Sequence, residues 1–288
     1  MKEVHLTRQI RSAPYGKGLA PATELNEIGP YIFEDLGHPS LVSLREREHL
    51  DDIVAGELND FDKLVRLRNW VATQWKFGNP EPYPPWDALI ILDWIRNGKT
   101  GGFCGNYSIV FGQALMSLGW PHVRFVEIGT QENPICHFLV EVWHSQQRKW
   151  VILDATGGAG GTFTRNGLYL NALEMHEAWM SNDLNGITYN RPPDYSPSGT
   201  HPHDLEAWAA CYYYLRVVWR QNFLSDPPPF WNVNNTFDRY HDCVEWYDPR
   251  VVQWEDSVVP VLADKDWPQH TRLSQRRCNK ANLLYPSV

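Results

Sequence analysis

Three residues in this chain have the types that nucleophilic acyl chemistry requires: Cys104, His137 and Asp154. A thiol nucleophile needs a base within hydrogen-bond reach, and the base needs a partner that orients it. Cys104 lies in Gly101-Gly-Phe-Cys-Gly-Asn-Tyr-Ser108, a glycine-rich turn that feeds a helix. Tyr107, Ser108, Phe111, Leu115 and Leu118 then recur at helical spacing, and Gly119 and Pro121 end the run. A helix N-terminus carries spare N–H groups and partial positive charge, which favour a thiolate over a thiol. Gly101, Gly102 and Gly105 leave the backbone around the sulfur bare, with room for a substrate carbonyl. On this block alone a buried structural cysteine is the commoner case.

The other two residues decide between these readings. His137 opens a β-branched and aromatic run to Trp143, and Asp154 closes a second run that begins at Lys149. Ser145 to Arg148 reads as a hairpin turn. If the loop spans 144 to 147, Trp143 pairs with Arg148, and Asp154 falls directly opposite His137 on the same face. Opposed Cβ atoms lie about 4.5–5.5 Å apart, so the carboxylate holds one ring nitrogen and leaves the other for a thiol. A slip of one residue would put the two side chains on opposite faces.

The remaining elements must position these groups. Residues 1–55 are rich in Pro, Gly and charge and read as an N-terminal arm, with a short exposed helix over Leu41 to Leu50. Asp60 caps a predicted helix to Trp75, whose apolar stripe is broken by Arg68. Gly78 to Pro85 is a stiff proline loop, and Trp86 to Arg96 reads as a buried helix. His122 to Ile128 is strand-like. Thr156 to Gly161 reads as flexible, Asn171 to Met180 as a helix, and Asp204 to Asn222 as an aromatic-crowded helix. The rest is irregular with a few short strands. The division is an arm (1–55), a core (56–175) and an aromatic-rich region packed on it (176–288).

Composition narrows the function. The chain has 288 residues and a net charge of −8, which argues against a nucleic-acid partner. No run is apolar enough to span a bilayer. The N-terminus lacks the apolar core of a signal peptide, so the chain as written reads as cytoplasmic, or as secreted if a signal was trimmed. Five cysteines form no disulfide framework. Cys136-His137 has no matching second pair, and neighbours on a strand face opposite ways, so no metal and no cofactor is expected. Fourteen tryptophans are an excess. They point to core packing, or to sugar contact if Trp231, Trp246 and Trp254 line a groove.

Three blocks together resemble a known family. Gly102-Phe-Cys104-Gly-Asn-Tyr-Ser, His137-Phe-Leu-Val-Glu-Val-Trp and Lys149-Trp-Val-Ile-Leu-Asp154-Ala-Thr are similar to the core of the transglutaminase-like superfamily, in its order. Leu118-Gly-Trp-Pro-His-Val-Arg124 also resembles the family's link from helix to strand. The likeness covers roughly residues 60 to 160. It implies a papain-like α+β fold, with the Cys helix packed on an antiparallel β-sheet and a helical or irregular C-terminal extension. It also implies a Cys104–His137–Asp154 triad working through a thioester on a peptide, protein or amide substrate. The oxyanion would meet the Cys104 N–H and a donor from Gln74 or Trp75, placed where relatives carry a Gln or an aromatic. A cysteine hydrolase is the expected activity. A glutamine-to-amine cross-linking transferase and an inactive domain binding carbohydrate or protein are the alternatives.

Overall fold

The computed structural model describes residues 31–57, 59–131, 137–191, 202, 204–218, 221–227, 243–246, 250 and 275–278. The first elements are helical: α1 (Pro39–Arg47), α2 (Leu50–Val54), α3 (Asp60–Ala72), α4 (Ala88–Arg96) and α5 (Cys104–Ser117). Their starts follow local chemistry. The Asn59 carboxamide accepts from the Asp62 N–H at 2.9 Å and caps α3, one residue earlier than the predicted cap. The Asp87 carboxylate accepts from the Leu89 and Ile90 amides and caps α4. α4 buries only Ala88, Ile91 and Leu92, so it is one-sided where its composition predicted burial all round. α1 also departs from the exposed helix expected there, because Leu41, Leu44 and the following Leu50 are fully enclosed.

Next come β1 (Val123–Gly129), β2 (His137–His144), β3 (Lys149–Leu153), β4 (Thr162–Arg165) and β5 (Leu168–Tyr169). They are followed by α6 (Ala172–Met180), β6 (Ile187–Asn190), α7 (Leu205–Ala210), β7 (Tyr214–Val218), β8 (Cys243–Trp246) and β9 (Gln275–Cys278). Among the described residues one sheet has the order β3-β2-β1-β7-β8-β9, antiparallel except for β8 with β9. A smaller antiparallel sheet has the order β5-β4-β6. The fold is thus α+β, with helices and antiparallel sheets. No helix among the described residues is long and apolar enough to cross a membrane.

Side-chain alternation divides the core between two faces of the large sheet. Val123, Phe125, Phe138, Val140, Val142 and Val151 pack toward α5. Val126, Ile128, Leu139, Ile152 and Val217 pack toward α6 and α7. Each face holds one buried cross-strand ion pair. Arg124 opposes Glu141 between β1 and β2, and Glu127 opposes Arg216 between β1 and β7.

Two sequence expectations change here. The predicted helix over Asp204 to Asn222 ends at Ala210, and Tyr214–Val218 is a strand beside β1. Leu215 and Val217 enter one face while Arg216 and Val218 enter the other, the period of two that the aromatic crowding concealed. The Thr156 to Gly161 run is enclosed rather than flexible. A Cβ at Gly157 would come within 2.5 Å of the Tyr107 hydroxyl and 2.8 Å of the Ala72 carbonyl. Trp231 and Trp254 lie outside the described residues, and Trp246 falls in β8.

Candidate active site

Cys104 is the first residue of α5, as its block predicts. Gly105 through Ser117 are all buried, so the helix is held on nearly every side and its N-terminus has a fixed place. The glycines before it make room for the protein's own atoms. A Cβ at Gly101 would meet the Asn79 carbonyl oxygen at 2.5 Å, and one at Gly102 would meet the Trp75 indole nitrogen at 2.5 Å. The backbone around the sulfur is therefore bare because neighbours crowd it. Within the helix, the Phe103 N–H donates to Asn106 Oδ1 at 3.1 Å. The Ser108 hydroxyl donates to the Phe138 carbonyl at 2.9 Å, which ties the Cys helix to the strand that begins at His137.

The hairpin that carries the other two groups is displaced from its predicted register. Its turn is Ser145 to Arg148, with Arg148 at φ +50° and the Gln147 N–H donating to His144 Nδ1. The flanking pairs are His144 with Lys149 and Trp143 with Trp150. Moving a four-residue turn by one position moves the pairing by two. Parity is kept, so the same side chains share a face. Continued past its last pair, Val140 with Leu153, the ladder sets Asp154 against Leu139 and places His137 on the diagonal. That diagonal is bridged: His137 Nε2 lies 2.6 Å from Asp154 Oδ2, with both side chains buried. The Thr156 N–H donates to Asp154 Oδ1 at 2.9 Å, so both carboxylate oxygens are held.

Cys104 lies close enough to the His137 ring to help hold its pKa up. Since Nε2 faces Asp154, Nδ1 is the nitrogen left for sulfur. α5 packs on one face of the sheet, whereas the alternation of β2 and β3 puts His137 and Asp154 on the other. The three groups meet at the sheet's end, where helix tip and first strand residue come together.

Electrostatics follow from this geometry. Burial disfavours the imidazolium, but the Asp154 charge and hydrogen bond, with help from Cys104, hold the His137 pKa well above its ordinary value. Burial likewise disfavours the Asp154 carboxylate. The facing His137 and the Thr156 N–H outweigh that and keep its pKa below the usual carboxylate range.

The proposed oxyanion donors have other partners. The Gln74 carboxamide donates to the Trp70 carbonyl at 2.9 Å and accepts from Arg96 at 2.6 Å. The Trp75 indole N–H donates to the Gly102 carbonyl at 3.2 Å, and its ring stacks on Tyr107 at 4.1 Å between centroids. Both follow the end of α3 at Ala72 instead of closing it. The Cys104 N–H lies in the first turn of α5, where a helical amide has no carbonyl four residues back to meet.

Residues that sequence reasoning missed surround the acid–base pair. Trp208 of α7 packs edge-on against the His137 ring at 5.1 Å between centroids and is 2% exposed. The buried Tyr212 hydroxyl lies close enough to Asp154 for that charge to help burial raise its pKa. Arg68 is buried on α3, and burial pulls its guanidinium down to about 10 against the opposing pull of Asp154. Its only sequence signal is a charge that interrupts an apolar stripe. Trp208 and Tyr212 carry none beyond aromatic content. Among the described residues no group of three or more His, Cys, Asp or Glu is arranged to hold a metal.

Residues 47–155 match the family model described as the transglutaminase-like superfamily. The match begins inside the stretch that reads as an N-terminal arm and ends one position beyond Asp154. No curated protein matches the chain. No solved structure matches it either.

Proposed function

We propose that the transglutaminase-like domain at residues 47–155 is a thiol-dependent acyl-transfer enzyme, acting as a cysteine protease or amidase. The observation that carries this reading is the buried His137–Asp154 pair with Cys104 near the His137 ring, its sulfur at the tip of a buried helix. The Cys104 sulfur attacks a peptide or carboxamide carbonyl and forms an S–C bond. The carbonyl π electrons move to oxygen, and the Cys104 N–H stabilises that charge. His137, holding the proton from the thiol, returns it to the leaving nitrogen as the C–N bond breaks. Water then attacks the thioester with His137 as base, releasing the acid and restoring the thiol. Asp154 keeps the ring oriented and offsets the imidazolium charge.

The test is turnover of a panel of peptide and glutamine-amide substrates, with and without an added primary amine. A carboxylic acid product, formed together with ammonia or a free amine, is the expected result, and Cys104→Ser abolishes it. Incorporation of the added amine instead would assign a cross-linking transferase. No turnover, with iodoacetamide labelling of Cys104 no faster than in the denatured chain, would leave an inactive binding domain.

A further inference from the structure

The far end of the catalytic hairpin carries a second site. His144 closes β2 seven positions after His137, about 23 Å away at strand rise. Beside it opens a cavity of about 250 Å³ between the start of α3, the segment before β1 and the β2–β3 turn. Trp120 and Phe61 supply aromatic surface to it, and Trp143 borders it with its ring turned edge-on to Trp150. The Phe61 ring is itself fixed, stacked on Tyr169 at 3.7 Å between centroids.

Polar groups stand around these rings, of which Asn59 is spent on capping α3. His144 Nδ1 accepts from the Gln147 N–H, which leaves Nε2 as the donor in the neutral ring. Burial lowers the pKa of both His122 and His144, so at neutral pH neither brings positive charge. Asp60 is the one carboxylate in the lining, and Lys63 holds one of its oxygens at 3.2 Å. Gln146 offers an exposed carboxamide at the mouth.

We propose that this cavity binds one ring of a neutral carbohydrate. A pyranose has an apolar C–H face that packs on an aromatic ring and equatorial hydroxyls that both donate and accept. The Trp120 indole beside a neutral imidazole, a carboxamide and a single carboxylate meets both demands. Among the described residues that line the cavity there is no Lys or Arg, and the neighbouring Lys63 is already paired with Asp60. The volume admits a single ring rather than a peptide segment. The site shares β2 with His137 but lies at its opposite end, and it does not depend on Cys104 chemistry.

The experiment is a glycan array of neutral and acidic oligosaccharides probed with the full chain, followed by titration of a soluble hit by tryptophan fluorescence. We expect saturable binding of neutral glycans, unchanged in Cys104→Ser and weakened at least tenfold in Trp120→Ala and in His144→Ala. Gln146→Ala, at an exposed turn position, leaves the fold intact and should weaken binding several-fold. Binding of acidic glycans alone, no binding at all, or affinity indifferent to both Trp120→Ala and Gln146→Ala would overturn the proposal. None of these outcomes alters the reading of Cys104.

Discussion

At the scale of single residues, the buried pair His137–Asp154 sets what mutation and pH should do. Cys104→Ser keeps size and removes the soft nucleophile, so turnover should vanish with the urea midpoint unchanged. His137→Ala differs, because it strands a buried carboxylate without its partner. A loss of roughly 3–5 kcal/mol is expected from breaking such a pair, so this variant should unfold at clearly lower urea. The pair's pH dependence follows from the two shifts. His137 has a raised pKa, so its contribution is full below the unfolded value of about 6.5 and fades as pH climbs through the folded one. Asp154 has a lowered pKa, so its contribution is full above about 3.9 and fades as pH drops through the folded one. The stability gap between wild type and Asp154→Asn should therefore be widest between about pH 4 and 6.5 and shrink on either side. A gap that stays the same well above pH 6.5 and well below pH 4 would contradict the ion pair.

At the scale of elements, the packing of α5 on β1 decides where the sulfur stands. Gly112 sits in mid-helix, where Ala is normally the better residue by about 1 kcal/mol. A Cβ there would lie 2.5 Å from the Phe125 ring. Overpacking of this kind costs typically 1–3 kcal/mol, so Gly112→Ala should destabilise despite its helix propensity. Loss of activity in excess of lost fold would show that the helix tip has moved from His137. These elements also show what the sequence could reveal. α5 was legible because apolar spacing, bare glycines and a Gly-Trp-Pro stop all agreed. The His–Asp contact was legible as a face relation, since a displaced turn preserves parity, but not as a direct pairing. The turn at Ser145 to Arg148 was legible, whereas a pairing counted from a loop at 144 to 147 misses the observed partners by two. β7 was hidden because pairing with β1, a long-range event, outweighed the local pull of an Ala- and Trp-containing run. The donors at Gln74 and Trp75 were placed by analogy with relatives, and each makes a local hydrogen bond to a backbone carbonyl.

At the scale of the whole molecule, β7 extends the sheet and α7 covers the site. β7 lies against β1, and Trp208 and Tyr212 lie over the acid–base pair. Limited proteolysis of the native protein should therefore leave Gly157 to Gly161 uncut, because most of that run is enclosed. Prompt cleavage there into two folded halves would show that the halves are independent. A chain ended at residue 203 should leave β1 without one neighbour and His137 wet. Its Cys104 should label with iodoacetamide at the rate of the denatured chain.

The cross-strand charges on β1 have a consequence for how strands find their places. This strand shows Arg124 to the neighbour on one side and Glu127 to the neighbour on the other. A strand bearing Glu141 can dock only beside the arginine, and one bearing Arg216 only beside the glutamate. Exchanging them would bury like charges together. The centre of the sheet is thus keyed like a two-sided lock, and the key for the second side is cut from a segment the ribosome makes long after the first. A half-made chain holds the nucleophile, the base and the carboxylate, yet the last part of the lock stays open until Arg216 arrives.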